Sequence, residues 1–178
     1  MNIAVFCGSW TGENDIWIKA AEELGNWIGE KGHTLVYGGG GSGLMGVIAS
    51  KVYGSGGQVI GVVPEDVDFI RNRPHDYVTK LIYTKDMSDR NKKMFETADA
   101  FIALPGGVGT LDEISEAITL TKIGVMDKKS VLFNRKGFYD PLRALFYGME
   151  KEGFMTAESM SHVMFSDDLK EIERFISV

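Results

Sequence analysis

The sequence predicts an α/β fold in which a parallel β-sheet carries helices on both faces. Short apolar runs alternate with amphipathic segments along the chain, which is the pattern of repeated βαβ units. Glycine-rich turns follow several of these runs, as expected where a strand passes into a helix. A length of 178 residues suits one domain, and no repeat or linker divides it. These features predict a single Rossmann-like domain over residues 1–178, with a doubly wound parallel sheet.

Short runs of mostly apolar residues predict the strands. Pro64 ends the third run, because proline has no backbone N–H for a sheet ladder. Residues 64–79 contain two prolines and many polar groups, which predicts a surface loop and a candidate lid. The strands are expected at residues 3–6, 34–37, 58–63, 80–84, 100–104, 130–133 and 163–165.

Between these runs, apolar residues recur at helical spacing. They do so from Trp17 to Ile28 in the first helix, and Met94, Phe95 and Ala98 share one side of the third. Pro141 suits the first turn of a later helix. The helices after the first are expected at residues 44–53, 87–98, 110–123, 140–150 and 167–176.

Composition excludes several classes of function. A net charge of -6 argues against nucleic acid bound on a basic face. A single cysteine, Cys7, excludes an intrachain disulfide and a multi-cysteine metal site, and the scattered His33, His75 and His162 indicate no metal site. No apolar run approaches ~18 residues, and the N-terminus is typical of a strand rather than a signal peptide. We therefore expect a cytoplasmic protein with no membrane partner.

Three loops follow strands at one edge of the predicted sheet, at residues 7–11, 38–43 and 105–110. Glycine lets backbone N–H groups face a ligand, and the next helix directs its positive end to the same place, so these loops favour phosphate binding. A tight strand-to-helix turn is the alternative. Residues 38–43 fit GxGxxG only loosely, and no acid closes the next strand, which disfavours a dinucleotide site. Neither glycine loop contains the Gly-Lys-Ser/Thr of a Walker loop.

Single residues in these loops admit two interpretations. Cys7 is expected to be a small buried core residue. Ser9 could bond a ligand hydroxyl or cap a helix. Thr110 and Glu113 fit a capping box, yet Glu113 would also face whatever a bound phosphate carries.

Two further charged residues are candidates for the same edge. Glu116 lies one turn beyond Glu113, as a second acid or as part of a solvated face. With Ser88 as a helix cap, Arg90 lies in the first turn of its helix, where it either holds phosphate or ribose or is an ordinary surface arginine.

At these residues the sequence resembles the LONELY GUY family of cytokinin-activating phosphoribohydrolases, formerly labelled lysine decarboxylases. PGGVGTLDE at residues 105–113 matches the family signature PGGxGTxxE, with an MxxR motif upstream. Further blocks follow the same order over most of the chain. They are CGS at 7–9, YGGGGSGLMG at 37–46, GVVP at 61–64, DMSDRNKKMFETADAFIALPGGVGTLDE at 86–113 and TKIGVMDKKSVLFNRKGFYDPL at 121–142.

The resemblance implies hydrolysis of the N-glycosidic bond of a purine nucleoside 5'-monophosphate, AMP or an N6-substituted relative, to free base and ribose 5-phosphate, without a cofactor. It implies that Arg90 and Glu113 are the catalytic pair. Two positions depart from the family: Asn91 replaces the lysine of MxxRK, with Lys92 next, and Trp10 stands where a small residue is common. Substrate and phosphate binding is implied for Gly8, Ser9, Gly39, Gly40, Gly43, Met87, Gly106, Gly107, Gly109 and Thr110.

Other readings stay open. A nucleotide or molybdenum-cofactor carrier of the same fold is the alternative, which the joint presence of Arg90 and Glu113 disfavours. A decarboxylase would need a lysine holding pyridoxal phosphate, and no buried candidate is apparent.

The resemblance also implies a homodimer, with the helix after the glycine motif at the interface and the partner contributing to the site. Apolar Ile114, Ala117, Ile118 and Ile123 suit either that interface or the core. An apolar pocket for an N6 substituent could be lined by Trp10, Met45, Met87 or Met94, each of which equally suits the core.

Overall fold

The computed structural model describes residues 1–66 and 76–177 and contains a seven-stranded β-sheet. Its strand order is β4-β3-β2-β1-β5-β6-β7, and every neighbouring pair is parallel. In chain order the strands are β1 (Asn2–Phe6), β2 (Thr34–Tyr37), β3 (Gln58–Pro64), β4 (Lys80–Thr84), β5 (Ala100–Ala103), β6 (Lys129–Phe133) and β7 (Val163–Ser166).

Helices connect the strands and cover both faces of the sheet. Side chains cap several of them: Asn14 accepts from the Ile16 N–H, and Asp86 accepts from the Asp89 N–H. The α-helices of the described part are α1 (Asp15–Glu30), α2 (Gly43–Gly54), α3 (Met87–Thr97), α4 (Val108–Lys122), α5 (Asp140–Lys151), α6 (Ala157–Met160) and α7 (Leu169–Ile176).

Two apolar cores lie on opposite faces of this sheet. The helical spacing in α1 buries Leu24 and Ile28 on one face, together with α2 and α7. The other face is covered by α3, α4 and α5, with Met94 and Ile114 fully buried. This arrangement confirms the predicted α/β fold with helices on both faces.

The strands lie where the sequence placed them, with shifts of one residue at some ends. Two short elements were not predicted, the 3₁₀-helix Arg135–Gly137 and the helix α6. The predicted loop over residues 64–79 falls largely on residues 67–75, which lie outside the described residues, as does His75. Across the described ranges, no helix has the length and apolarity needed to span a bilayer.

The strand order places a ligand crevice at the ends of β1 and β5. β1 pairs with β2 on one side and β5 on the other, so the order reverses there and the following loops diverge. Backbone bonds join the two loops: the Leu104 N–H donates to the Phe6 carbonyl at 2.9 Å, and the Gly8 N–H donates to the Pro105 carbonyl at 3.1 Å. This edge is where the sequence placed its site.

Candidate active site

A cavity of about 370 Å³, here called the site cavity, opens at the carboxyl ends of β1 and β5. Residues of both loops form one part of its wall, and residues at the starts of α3 and α4 form another. It is lined by Val5, Phe6, Cys7, Gly8, Ser9, Gly38, Met45, Met87, Arg90, Asn91, Gly107, Val108, Gly109, Thr110, Asp112 and Glu113.

A buried ion pair joins α3 to α4 in this cavity. Arg90 Nη2 donates to Glu113 Oε1 at 2.5 Å, and both residues are buried. Arg90 Nη1 also lies 3.5 Å from Met87 Sδ, whereas Arg90 Nε is buried and has no hydrogen-bond partner within residues 1–66 and 76–177. Because guanidinium carries five N–H donors, Arg90 can hold Glu113 and still donate to a ligand.

The surroundings of Glu113 alter its acidity. Burial raises the pKa of the Glu113 carboxyl above its ordinary value, and the charge and hydrogen bond of Arg90 act in the opposite direction. A carboxylate with a raised pKa is a stronger base, which favours taking a proton from water. Burial also raises the pKa of the Cys7 thiol, with Glu113 adding to the effect, so Cys7 is a buried core residue and not an activated nucleophile.

The start of α4 forms a cradle for an anion. Gly107 is its N-cap and supplies no side-chain cap, so the N–H groups of Val108, Gly109 and Thr110 precede the first intrahelical bond. All three residues line the site cavity, so the positive end of the helix lies beside it. Gly106 allows the buried Thr110 to sit against the loop, since a Cβ there would overlap its hydroxyl.

The capping predictions in this region were wrong. Thr110 lies inside α4 and does not cap it, because the helix begins at Val108. Glu113 therefore bonds Arg90 rather than the backbone of residue 110. Asp86, not Ser88, caps α3, which shifts Arg90 to the end of its first turn.

The loop over residues 38–43 contributes Gly38 to the site cavity, next to Arg90. A Cβ on Gly38 would lie 2.6 Å from Arg90 Nη2. Gly39 and Gly43 adopt φ of 73° and 61°, and a Cβ on Gly43 would overlap the Ser9 backbone. Gly39, Gly40 and Gly43 do not line the cavity, so their phosphate-binding role stays a prediction.

The residues predicted to line an apolar pocket lie in three different places: the site cavity, the core and the surface. Ser9 lines the site cavity and caps no described helix; Met45 and Met87 also line it. Met94 is fully buried in the core. Trp10 is 83% exposed and lines a second cavity of about 240 Å³, on the side of α1, that shares Gly8, Ser9 and Gly107 with the first.

Glu116 lies outside the site cavity. It is exposed on α4, and its Oε2 accepts from Asn91 Nδ2 at 3.2 Å. Asn91 itself is buried and lines the cavity. Sequence reasoning missed this contact, as well as the role of Gly38 beside Arg90; neither has a local signal, because each depends on how α3 approaches a neighbouring element.

The described side chains form neither a metal site nor a lysine site for pyridoxal phosphate in the site cavity. Within residues 1–66 and 76–177, no group of three or more His, Cys, Asp or Glu side chains could hold a metal ion. No lysine lines the site cavity, so pyridoxal phosphate would have no amine for a Schiff base there.

Comparison with known proteins identifies the family. Residues 45–176 match a family model described as "Possible lysine decarboxylase". A cytokinin riboside 5'-monophosphate phosphoribohydrolase of Rhodococcoides fascians is 39% identical over 169 residues, covering 95% of this chain and 85% of that protein. The protein of the same name from Oryza sativa subsp. japonica is 38% identical over 170 residues, covering 96% and 70%.

The chain belongs to the LONELY GUY family. Solved structures of proteins with other names share its fold. A molybdenum cofactor binding protein from Rippkaea orientalis gives a TM-score of 0.74 at 24% identity, covering 98% of this chain and 96% of that one. The molybdenum cofactor carrier protein of Chlamydomonas reinhardtii gives 0.71 at 20% identity, covering 99% and 98%. At such identities the likeness shows the fold alone.

Proposed function

We propose that this LONELY GUY protein hydrolyses the N-glycosidic bond of a purine nucleoside 5'-monophosphate, AMP or an N6-substituted relative, to free base and ribose 5-phosphate. The observation that carries the proposal is the buried Arg90–Glu113 pair, in which Glu113 lies in the second turn of a helix whose start has no side-chain cap. Related curated proteins are named phosphoribohydrolases, which supports the same reaction.

The phosphate anchors the substrate at the start of α4. The N–H groups of Val108, Gly109 and Thr110 bind it, with Ser9 and Gly8 on the opposite loop. Binding energy at this non-reacting group holds the ribose against Glu113. A nucleoside without the phosphate is therefore a much poorer substrate.

Glu113 acts on the ribosyl carbon. As the bond from the ribosyl carbon to the base nitrogen breaks, the bonding electrons leave with the base and positive charge develops on the sugar. The Glu113 carboxylate stabilises that charge and takes a proton from the water whose oxygen joins the carbon. The departing base takes up one proton from solvent, and Glu113 releases the proton of the attacking water to solvent, which restores the carboxylate. Arg90 holds this carboxylate and donates its remaining N–H groups to the substrate.

The same geometry disfavours a carrier. A protein that only holds a phosphorylated ligand gains nothing from a carboxylate buried against an arginine, because pairing and burying two charges costs desolvation. The pair is expected where a positive charge forms during the reaction.

We also propose a homodimer, although fewer of the apolar residues suggested by the sequence are exposed. Ile114, Ala117 and Ile118 are buried in the core of the protomer, which leaves the exposed Ile123 and the neighbouring Val125 as apolar surface near the end of α4. Analytical ultracentrifugation of the Ile123→Lys variant against wild type measures whether this surface joins two copies.

Base release from AMP and from adenosine tests the proposed function. Liquid chromatography measures adenine, and a coupled assay measures ribose 5-phosphate. We expect equal amounts of both products from AMP and far slower release from adenosine. A protein that binds AMP but releases no base would instead be a carrier, and equal rates with AMP and adenosine would refute the phosphate anchor.

A further inference from the structure

The glycine loop after β5 leaves the sheet through a break in the pairing of β5 with β1. The Leu104 N–H donates to the Phe6 carbonyl at 2.9 Å, as in a regular parallel ladder. Continuing that ladder would bring the Gly8 N–H to the Leu104 carbonyl, yet the Gly8 N–H donates to the Pro105 carbonyl at 3.1 Å. The Tyr139 hydroxyl donates to the Leu104 carbonyl instead, at 2.8 Å. Because a buried carbonyl needs a partner, this side chain replaces a missing ladder bond.

A turn that follows β6 holds Tyr139 in place. The Tyr139 N–H donates to Asn134 Oδ1 at 2.7 Å, and Asn134 Nδ2 donates to Asp140 Oδ1 at 2.8 Å. Lys136, inside this turn, adopts a φ of 52°, a left-handed conformation that is uncommon outside glycine. The Phe138 ring packs edge-on against the Tyr139 ring, with 4.9 Å between centroids. Burial raises the pKa of the Tyr139 phenol, so its hydroxyl stays protonated and remains a donor.

The peptide between Leu104 and Pro105 directs the loop toward the phosphate cradle. Proline has no N–H, so the Leu104 carbonyl is the only polar group by which this peptide can be held. Only residues 105–107 separate it from Val108, the first N–H donor at the start of α4. A Cβ on Gly107 would meet no atom of the described residues within 4 Å, so side-chain packing does not fix the loop there. The path of the loop therefore depends on the bond that holds the Leu104 carbonyl.

We propose that Tyr139 is a positioning residue for the phosphate cradle. Its hydroxyl holds the Leu104 carbonyl and thereby sets where the N–H groups at the start of α4 meet the phosphate. Tyr139 acts through the loop and does not touch the substrate, so it contributes to affinity for the phosphate and not to the reaction at Glu113. The inference rests on the proposed function, which assigns the phosphate to the start of α4.

The test compares the Kd values of AMP and adenosine, measured by calorimetry, for wild type and Tyr139→Phe. Phenylalanine keeps the ring and removes only the hydroxyl. We expect the Kd of AMP to rise about 2- to 13-fold, the range that corresponds to the net free energy of one hydrogen bond, and the Kd of adenosine to stay unchanged. In turnover, KM for AMP should rise by the same factor while kcat stays close to wild type. Tyr147→Phe, the same change at an exposed tyrosine of α5, is the matched control and should bind both ligands like wild type.

A folded Tyr139→Phe protein that weakens AMP and adenosine equally, or weakens neither, would overturn the inference, since the hydroxyl would then be structural only. Should Tyr139→Phe fail to fold, Asn134→Ala takes its place. It removes both hydrogen bonds of the Asn134 side chain and keeps the hydroxyl, and a wild-type ratio of the two Kd values would overturn the inference.

The same measurements separate this inference from the proposed function. Wild type that binds AMP no better than adenosine would overturn the phosphate anchor and the inference together. Wild type that prefers AMP but releases no base would refute only the proposed hydrolysis, and the effect of Tyr139→Phe on the two Kd values would still decide the inference.

Discussion

Replacing Gly38 by alanine is expected to displace Arg90 from Glu113 while the protein stays folded. The added Cβ would lie 2.6 Å from Arg90 Nη2 and 3.2 Å from its Cζ. Ordinary contacts between heavy atoms are about 3.5–4.0 Å, so the guanidinium must move by about 1 Å. A misplacement of about 1 Å in a catalytic constellation can lower the rate about 10²-fold.

The assay is kcat/KM for base release from AMP, with Tm measured on the same preparations. Gly148→Ala is the matched control, because a Cβ at this position in α5 meets nothing within 4 Å. Alanine there should stabilise the helix by about 0.5–1 kcal/mol and leave activity unchanged. Wild-type activity in folded Gly38→Ala protein would refute the claim that Arg90 must stay against Glu113.

Three further outcomes follow from the same structure. Since burial raises the pKa of Glu113 above the ~4.3 of an ordinary glutamate, kcat/KM should fall as pH drops through that raised pKa. The free energy of unfolding contributed by Glu113 is fully present below the ordinary pKa and is lost as pH rises through the raised pKa. Arg90→Lys replaces a fork of donors by one ammonium and should lower kcat/KM about 10- to 150-fold, measured by base release. Leu24→Ala, at a fully buried position in α1, should cost about 2–5 kcal/mol in urea unfolding and leave the kcat of folded protein intact.

Most of the fold could be predicted from the sequence because apolar periodicity reports burial directly. Each strand of the described sheet coincides with an apolar run, and α1 follows its apolar spacing. Helix starts were harder to predict: Thr110 fits a cap in the sequence, yet the helix begins at Val108, with Gly107 as its N-cap and no side-chain cap. Local sequence favours a capping box there, and the distant Arg90 takes the glutamate instead.

The candidate site was only partly predictable, because some of its contacts join different elements and have no local sequence signal. The family motif indicated Arg90 and Glu113, which the structure brings to 2.5 Å. It gave no indication that Gly38 makes room for the guanidinium, or that Asn91 reaches Glu116. Both contacts join elements far apart in sequence, and only the packing of α3 decides them.

The most direct test of the account is base release from AMP by Glu113→Gln. Glutamine keeps an oxygen acceptor for Arg90 and removes the negative charge, so it isolates the carboxylate from the packing. The account predicts a loss of about 10²- to 10⁴-fold in kcat, with Kd for AMP and Tm close to wild type. A folded Glu113→Gln protein that releases adenine at the wild-type rate would contradict it.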